Sequence, residues 1–308
     1  MVKRFLITTA IEETWPKDNI PILFLGEWCR VYSRKEHWSK INAEVLPYHW
    51  DNRKMLYADY IQLNKIYERF LKVLATQLND IHNVDYSIRY WRIITGPWLK
   101  KFVNILYDRY LSIKSANENG NIADTWLLKS HYSDWIPVNN TEFTHYYNSD
   151  EYNHFLYSEI IKNIKDIPYT IIDNVHNPGH LNSEIKYSSS FRSSSKFIKR
   201  FIRQGIPSSL QKIQCTGTNL KPKNFWHLML SLGQMPFVLD RVHTADLFEH
   251  SANNQVREKI KLNVAENDFE SLCETLIIRQ IPRAYIEGFK SLKKAASKLY
   301  PNNPQIIF

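Results

Sequence analysis

Side chains able to carry out acid–base chemistry gather in three short segments, each directly after an apolar run. Glu12-Glu13-Thr14-Trp15-Pro16 follows the first run, Gly26-Glu27-Trp28-Cys29-Arg30 the second, and Tyr48-His49-Trp50-Asp51 the third, Val45-Leu46. In an open α/β sheet, ligands bind beyond the carboxyl ends of the strands, so loops leaving successive strands can face one crevice. A carboxylate there can act as general base toward a hydroxyl nucleophile, and so can an imidazole beside an acidic partner. By position the candidates rank Glu13, then Glu27, His49 and Asp51. Each has a plainer reading: paired glutamates solvated or near a helix N-terminus, His49 buried and hydrogen-bonded in its loop, Asp51 capping the next helix.

Other constellations are weaker. His176 and His180, with Asp173 nearby, have a ligand-like spacing, but Pro178 and Gly179 break any helix between them, so no metal site is expected. Cys29, Cys215 and Cys273 are odd in number and far apart, which offers neither a disulfide framework nor a paired-thiolate metal site and points to a cytoplasmic location. Neither G-x-G-x-x-G nor a Walker sequence is present, and no cofactor is expected. The aromatic group Tyr90, Trp91, Trp98 reads as core packing, with sugar stacking as the alternative.

The elements that must position these residues are short strands alternating with helices, the pattern of an α/β fold. Residues 4–10 and 20–26 read as strands. Residues 50–81 carry apolar groups spaced by threes and fours, which predicts a long helix capped by Asp51 or Asn52. A second long helix is predicted over 97–113, with Pro97 in its first turn, and the aromatic stretch before it can be helical up to Gly96. The Ser- and Asn-rich run 115–121 predicts a turn and a sub-boundary. Beyond it, helices are expected within 145–164 and at 224–232, 269–279 and 283–300, the last two separated by Pro282. Strands are expected at 169–172, 211–215 and 236–239.

At 308 residues, 44% hydrophobic and 14% aromatic, the chain is too apolar for intrinsic disorder, yet no window reaches the roughly 18 consecutive apolar residues of a membrane span. The net charge of +9 comes from 40 Lys and Arg against 31 Asp and Glu, and it is localised. Residues 185–239 contain nine Lys and Arg and no acid, leaving 31 of each sign elsewhere. Within this stretch Phe197, Ile198, Phe201 and Ile202 form one helical stripe flanked by Lys196, Lys199, Arg200 and Arg203. Such a basic amphipathic helix either docks its stripe on the core or lies on an anionic membrane. Its setting does not suit nucleic acid, because no exposed aromatics interleave the basic residues.

The final Gln305-Ile306-Ile307-Phe308 reads as the start of a buried strand, which predicts that residues 1–300 form one domain and 301–308 a linker into a second. The alternative is a tail strand added to an existing sheet edge.

Leu6-Ile7-Thr8-Thr9-Ala10-Ile11-Glu12-Glu13-Thr14-Trp15-Pro16, Phe24-Leu25-Gly26-Glu27-Trp28-Cys29, Leu46-Pro47-Tyr48-His49-Trp50-Asp51 and Tyr90-Trp91-Arg92-Ile93-Ile94-Thr95-Gly96-Pro97-Trp98 together resemble a family of bacterial transferases encoded with surface-polysaccharide and lipopolysaccharide biosynthesis genes. The resemblance extends to Leu232-Gly233-Gln234-Met235-Pro236 and to the segment from Gln280 to Gly288. It implies a two-domain, metal-independent glycosyltransferase of the GT-B type, of which this chain is the Rossmann-like, acceptor-side, N-terminal domain with long helices and a basic helical insertion. The implied partners are a nucleotide-sugar donor gripped by the other domain, a glycan or lipid-linked acceptor, and the inner membrane surface. A non-catalytic scaffold module of a polysaccharide assembly complex is the alternative from another class.

Overall fold

The computed structural model describes residues 2–173, 206–215, 220–236, 251–299 and 305–307. The chain forms two units, Met1–Glu184 with His250–Glu287, and Ile185–Glu249 with Gly288–Phe308. In the first unit β1 (Arg4–Ile7), β2 (Ile22–Phe24) and β3 (Ala43–Val45) run parallel, with α1 (Lys35–Trp38) between the last two. Next come α2 (Arg53–His82), α3 (Ile88–Ile94) and α4 (Gly96–Asn119), and then β4 (Ile122–Asp124), which joins the free side of β1. The parallel sheet therefore has the order β3-β2-β1-β4. β1 and β2 are short apolar runs buried on both faces, as a parallel sheet covered by helices requires.

Beyond Thr125, β5 (Trp126–Leu128) leaves this sheet and pairs parallel with β6 (Thr170–Ile172), across α5 (Asn140–Tyr146) and α6 (Asp150–Ile164). In the second unit β7 (Ile213–Gln214) precedes α7 (Pro222–Ser231). The chain returns to the first unit for α8 (Asn254–Arg257) and α9 (Asp268–Gln280), then to the second for α10 (Phe289–Leu299) and β8 (Ile306–Ile307). The terminal strand has a partner, β7, with Ile213 opposite Ile306. No helix among the described residues is long and apolar enough to cross a membrane.

Local chemistry explains most boundaries. Asn52, not Asp51, caps α2: its side chain accepts from the N–H groups of Lys54 and Met55. The turn predicted over 115–121 is a correction. α4 runs on to Asn119 because Ile113 and Ala116 are fully buried and carry the apolar stripe through residues of poor helix propensity. The turn comes at Asn121, with φ of 47°. The helix expected within 145–164 is α6, which starts at Asp150 because Ser149 caps it by accepting from the Tyr152 N–H. The segment Ser194–Gln204, with Lys196, Phe197, Lys199, Arg200, Phe201 and Arg203, lies outside the described residues.

The core of the first unit is aromatic. Trp91, Trp98, Phe102, Phe143, Tyr152 and Tyr157 are buried almost completely, and α4 packs against α2, α3, α6 and α9. The same unit buries a charged pair, Arg257 with Glu287. Arg257, 2% exposed, donates to both carboxylate oxygens of Glu287 at 2.8 and 2.9 Å and to the Ile281 carbonyl at 2.9 Å. Arg257→Ala leaves Glu287 as an uncompensated buried charge, so it is expected to lower unfolding free energy by about 3–5 kcal/mol in urea titrations. Arg257→Ala with a near-wild-type urea midpoint contradicts this role.

Candidate functional site

The carboxyl end of β1 organises the loops. Two indole N–H groups reach it: Trp28 donates to the Thr8 carbonyl at 3.0 Å and Trp15 to the Thr9 carbonyl at 3.2 Å. Trp28 folds back over Gly26 so closely that a Cβ there would lie 2.2 Å from the ring, which is why the second loop begins with glycine. Cys29 sits beneath, its thiol donating to the Ile7 carbonyl at 3.5 Å. Burial pushes that thiol up to about 12, so it stays protonated and un-nucleophilic near neutral pH.

His154 of α6 closes the other side. Its Nε2 accepts the Leu128 N–H at 3.0 Å, so the ring proton is on Nδ1, 3.3 Å from the Thr8 hydroxyl. Burial, with a smaller contribution from Lys162, pushes this imidazole down to about 4.

The third loop is clamped by a charge cluster on α4. The Tyr48 hydroxyl donates to Asp108 Oδ1 at 2.7 Å, His49 Nε2 lies 3.3 Å from the same oxygen, and Arg109 pairs with Oδ2. Burial by itself raises the Asp108 carboxyl, but His49, Arg109 and Tyr48 outweigh it and hold the group below its ordinary value. Burial and the Asp108 carboxylate together raise the Tyr48 phenol. Arg109 also donates to Asn153 Oδ1 from Nε and Nη2 at 3.0 and 2.9 Å. Trp50 is tied by its Nε1–H to Asp59 at 2.9 Å. The cluster holds the loop against the helices.

The four candidates from sequence thus occupy different surroundings. His49 faces Asp108, an acidic partner from α4, with its side chain 8% exposed. Glu27 is exposed and paired with Arg30 at 3.0 and 2.5 Å. Asp51 is exposed on the turn before α2. Glu13 is exposed and lines a cleft of roughly 620 Å³ between the β1–β2 connection and α1, together with Glu12, Trp15, Lys17, His37 and Lys40.

That cleft contains a pair that sequence spacing does not reveal. His37 Nδ1 lies 3.1 Å from Glu12 Oε2, Arg34 lies 3.5 Å from Oε1, and the His37 ring stacks on Trp15 at 5.9 Å between centroids. Glu12 and His37 also line an adjoining cleft of about 810 Å³ with Tyr32 and Arg34. Arg34-Lys35-Glu36-His37 reads in sequence as an ordinary charged run, and only the paths of the β1–β2 and β2–β3 connections bring it to Glu12. Among the described residues no three His, Cys, Asp or Glu side chains are grouped to hold a metal ion; His176 and His180 lie outside them.

A family model described as LIC12162 family transferase matches residues 4–308. The chain belongs to that family. Neither a curated protein nor a solved structure matches it. Membership in the LIC12162 family makes the chain a transferase.

The buried His154 of this family member sets a pH dependence. Its folded value, about 4, is below the unfolded 6.5, so the neutral form stabilises the fold fully above pH 6.5. That contribution, roughly 3 kcal/mol, is lost as pH falls from 6.5 toward 4. Denaturant titrations of wild type and His154→Gln between pH 7 and 4.5 are expected to show a shallower pH slope in the variant; equal slopes rule out His154 as the source.

Proposed function

We propose that the chain takes part in sugar transfer from an activated nucleotide donor to a hydroxyl of a surface-glycan or lipid-linked acceptor, and that its parallel sheet is the Rossmann-like, acceptor-side part of a GT-B-type enzyme. Family membership supports the reaction class. The order β3-β2-β1-β4 supports the fold, since it matches the first four strands of the doubly wound order, with the direction reversing at β1. The resemblance of its motifs to transferases encoded with polysaccharide biosynthesis genes supports the substrate class.

The observation that carries the reading is the Glu12–His37 pair beside Glu13 on an open cleft. A transfer to a hydroxyl needs a proton acceptor: the acceptor oxygen bonds to the anomeric carbon, its proton passes to the base, and the nucleotide leaves with the electrons of the bond it held. An imidazole next to a carboxylate suits this task, because the carboxylate stabilises the imidazolium that forms. His49 suits it less well, being enclosed with an aspartate that Tyr48 and Arg109 already occupy.

Of the titratable groups on the cleft, His37 and Glu13 are the proposed proton acceptors, and replacing each in turn tests the assignment. Nucleotide release from a panel of UDP-, GDP- and CMP-sugars, with saccharide acceptors, is expected to fall by about 10²–10⁴-fold in either His37→Gln or Glu13→Gln, whichever removes the base. Both variants within about threefold of wild type would remove both residues from the reaction.

A further inference from the structure

The two units differ sharply in charge. Ile185–Glu249 and Gly288–Phe308 together hold 14 Lys and Arg against Asp240, Asp246 and Glu249, a net +11. The remaining chain holds 26 against 28, a net −2. The whole +9 therefore belongs to one unit, and part of it comes from outside the acid-free stretch: α10 contributes the exposed Lys290, Lys293 and Lys294.

The same unit exposes apolar surface. α7 buries only Phe225 and Met229, against Cys215 and Ile213. Trp226 is 55% exposed, Leu228 45% and Leu230 57%, with Leu220 and Leu232 exposed at either end. At about 100° per residue, Trp226 flanks the buried stripe on one side, with Leu230 next beyond it, and Leu228 flanks it on the other, while Lys223, His227 and Ser231 take the opposite face. The helix thus presents an apolar arc wider than the stripe its own unit covers, and clustered exposed apolar groups of this kind mark an interaction surface.

Charge decides which partner fits. From Leu220 to Met235 the segment has no acid, and Lys221 and Lys223 stand beside the exposed tryptophan and leucines. A second copy of a unit at +11 is repelled by like charge. A nucleic acid supplies phosphates but no apolar layer for the leucines. An anionic bilayer supplies both, with indole and leucine entering the headgroup–acyl boundary and ammonium groups meeting lipid phosphates.

We propose that the Trp226–Leu230 face of α7, with the lysines of its unit, docks the protein on an anionic lipid surface. This deepens the reading above, for the case in which the acceptor is lipid-linked, yet its test needs neither donor nor acceptor. The full chain is sedimented with vesicles of phosphatidylcholine alone and of three parts phosphatidylcholine to one part phosphatidylglycerol.

Wild type is expected to pellet with the anionic vesicles only. Trp226→Ser with Leu230→Ser is expected to lower the partition coefficient about tenfold or more while leaving the circular-dichroism melt unchanged. Lys221→Gln with Lys223→Gln, which leaves the apolar groups in place, is expected to lower it to a similar degree. Wild-type binding by either double variant, equal binding to neutral vesicles, or no binding to either overturns the proposal. So does a collapsed melt in the Trp226/Leu230 variant, which would make the face internal packing, or a dimer that this variant dissolves. Retention on an oligonucleotide without vesicle binding overturns it as well. Failure here leaves sugar transfer standing, whereas vesicle binding without nucleotide release from any donor defeats only the transfer reading.

Discussion

Just past the end of β1, the Thr8 and Thr9 carbonyls have no strand neighbour to pair with and must be satisfied some other way. Two tryptophans from different loops do this, Trp28 on Thr8 and Trp15 on Thr9. The arrangement fixes much else. Trp28 can reach Thr8 only by lying on Gly26, so the second loop turns where it does and leaves Glu27 in solvent with Arg30. Trp15 packs edge-on against Phe24 while stacking on His37, so the same ring that satisfies Thr9 also walls the cleft and sets the imidazole beside Glu12.

Two histidine–carboxylate pairs in one unit illustrate how surroundings separate structure from chemistry. His49 and Asp108 are both 8% exposed at the side chain, and the aspartate is already engaged by a phenol and a guanidinium. A proton delivered there would disturb a balanced set of charges, which is costly in a low-dielectric interior. His37 and Glu12 have the same pair of groups at a similar distance, but His37 is 61% exposed at the side chain and faces open clefts. Access to a substrate and room to accept a charge distinguish the second pair from the first.

Charge follows the division of the chain as well. The first unit is nearly neutral and spends its ionic groups on internal ties such as Arg257–Glu287 and Arg69–Glu270. The second unit carries almost all its charge with one sign and keeps an apolar helix face in solvent. Like charges held in one small unit oppose its compaction, a cost that an anionic partner offsets.

Periodicity and local patterning made the α/β class, the strands near residues 4–10 and 20–26, and the long helices legible from sequence. These features report which face of an element is buried, and burial recurs at fixed spacing along the chain. The turn expected at 115–121 failed because packing of Ile113 and Ala116 overrode weak propensities. The site was legible only in part. Its loops could be named because they follow strands, but His49 meeting Asp108 and Glu12 meeting His37 depend on how connections travel between elements, which no local spacing encodes. The acid-free stretch was likewise plain in sequence. That α10 adds its lysines to the same unit is a consequence of the chain returning there through β8 pairing with β7, a contact between residues distant in sequence that only tertiary structure can bring about.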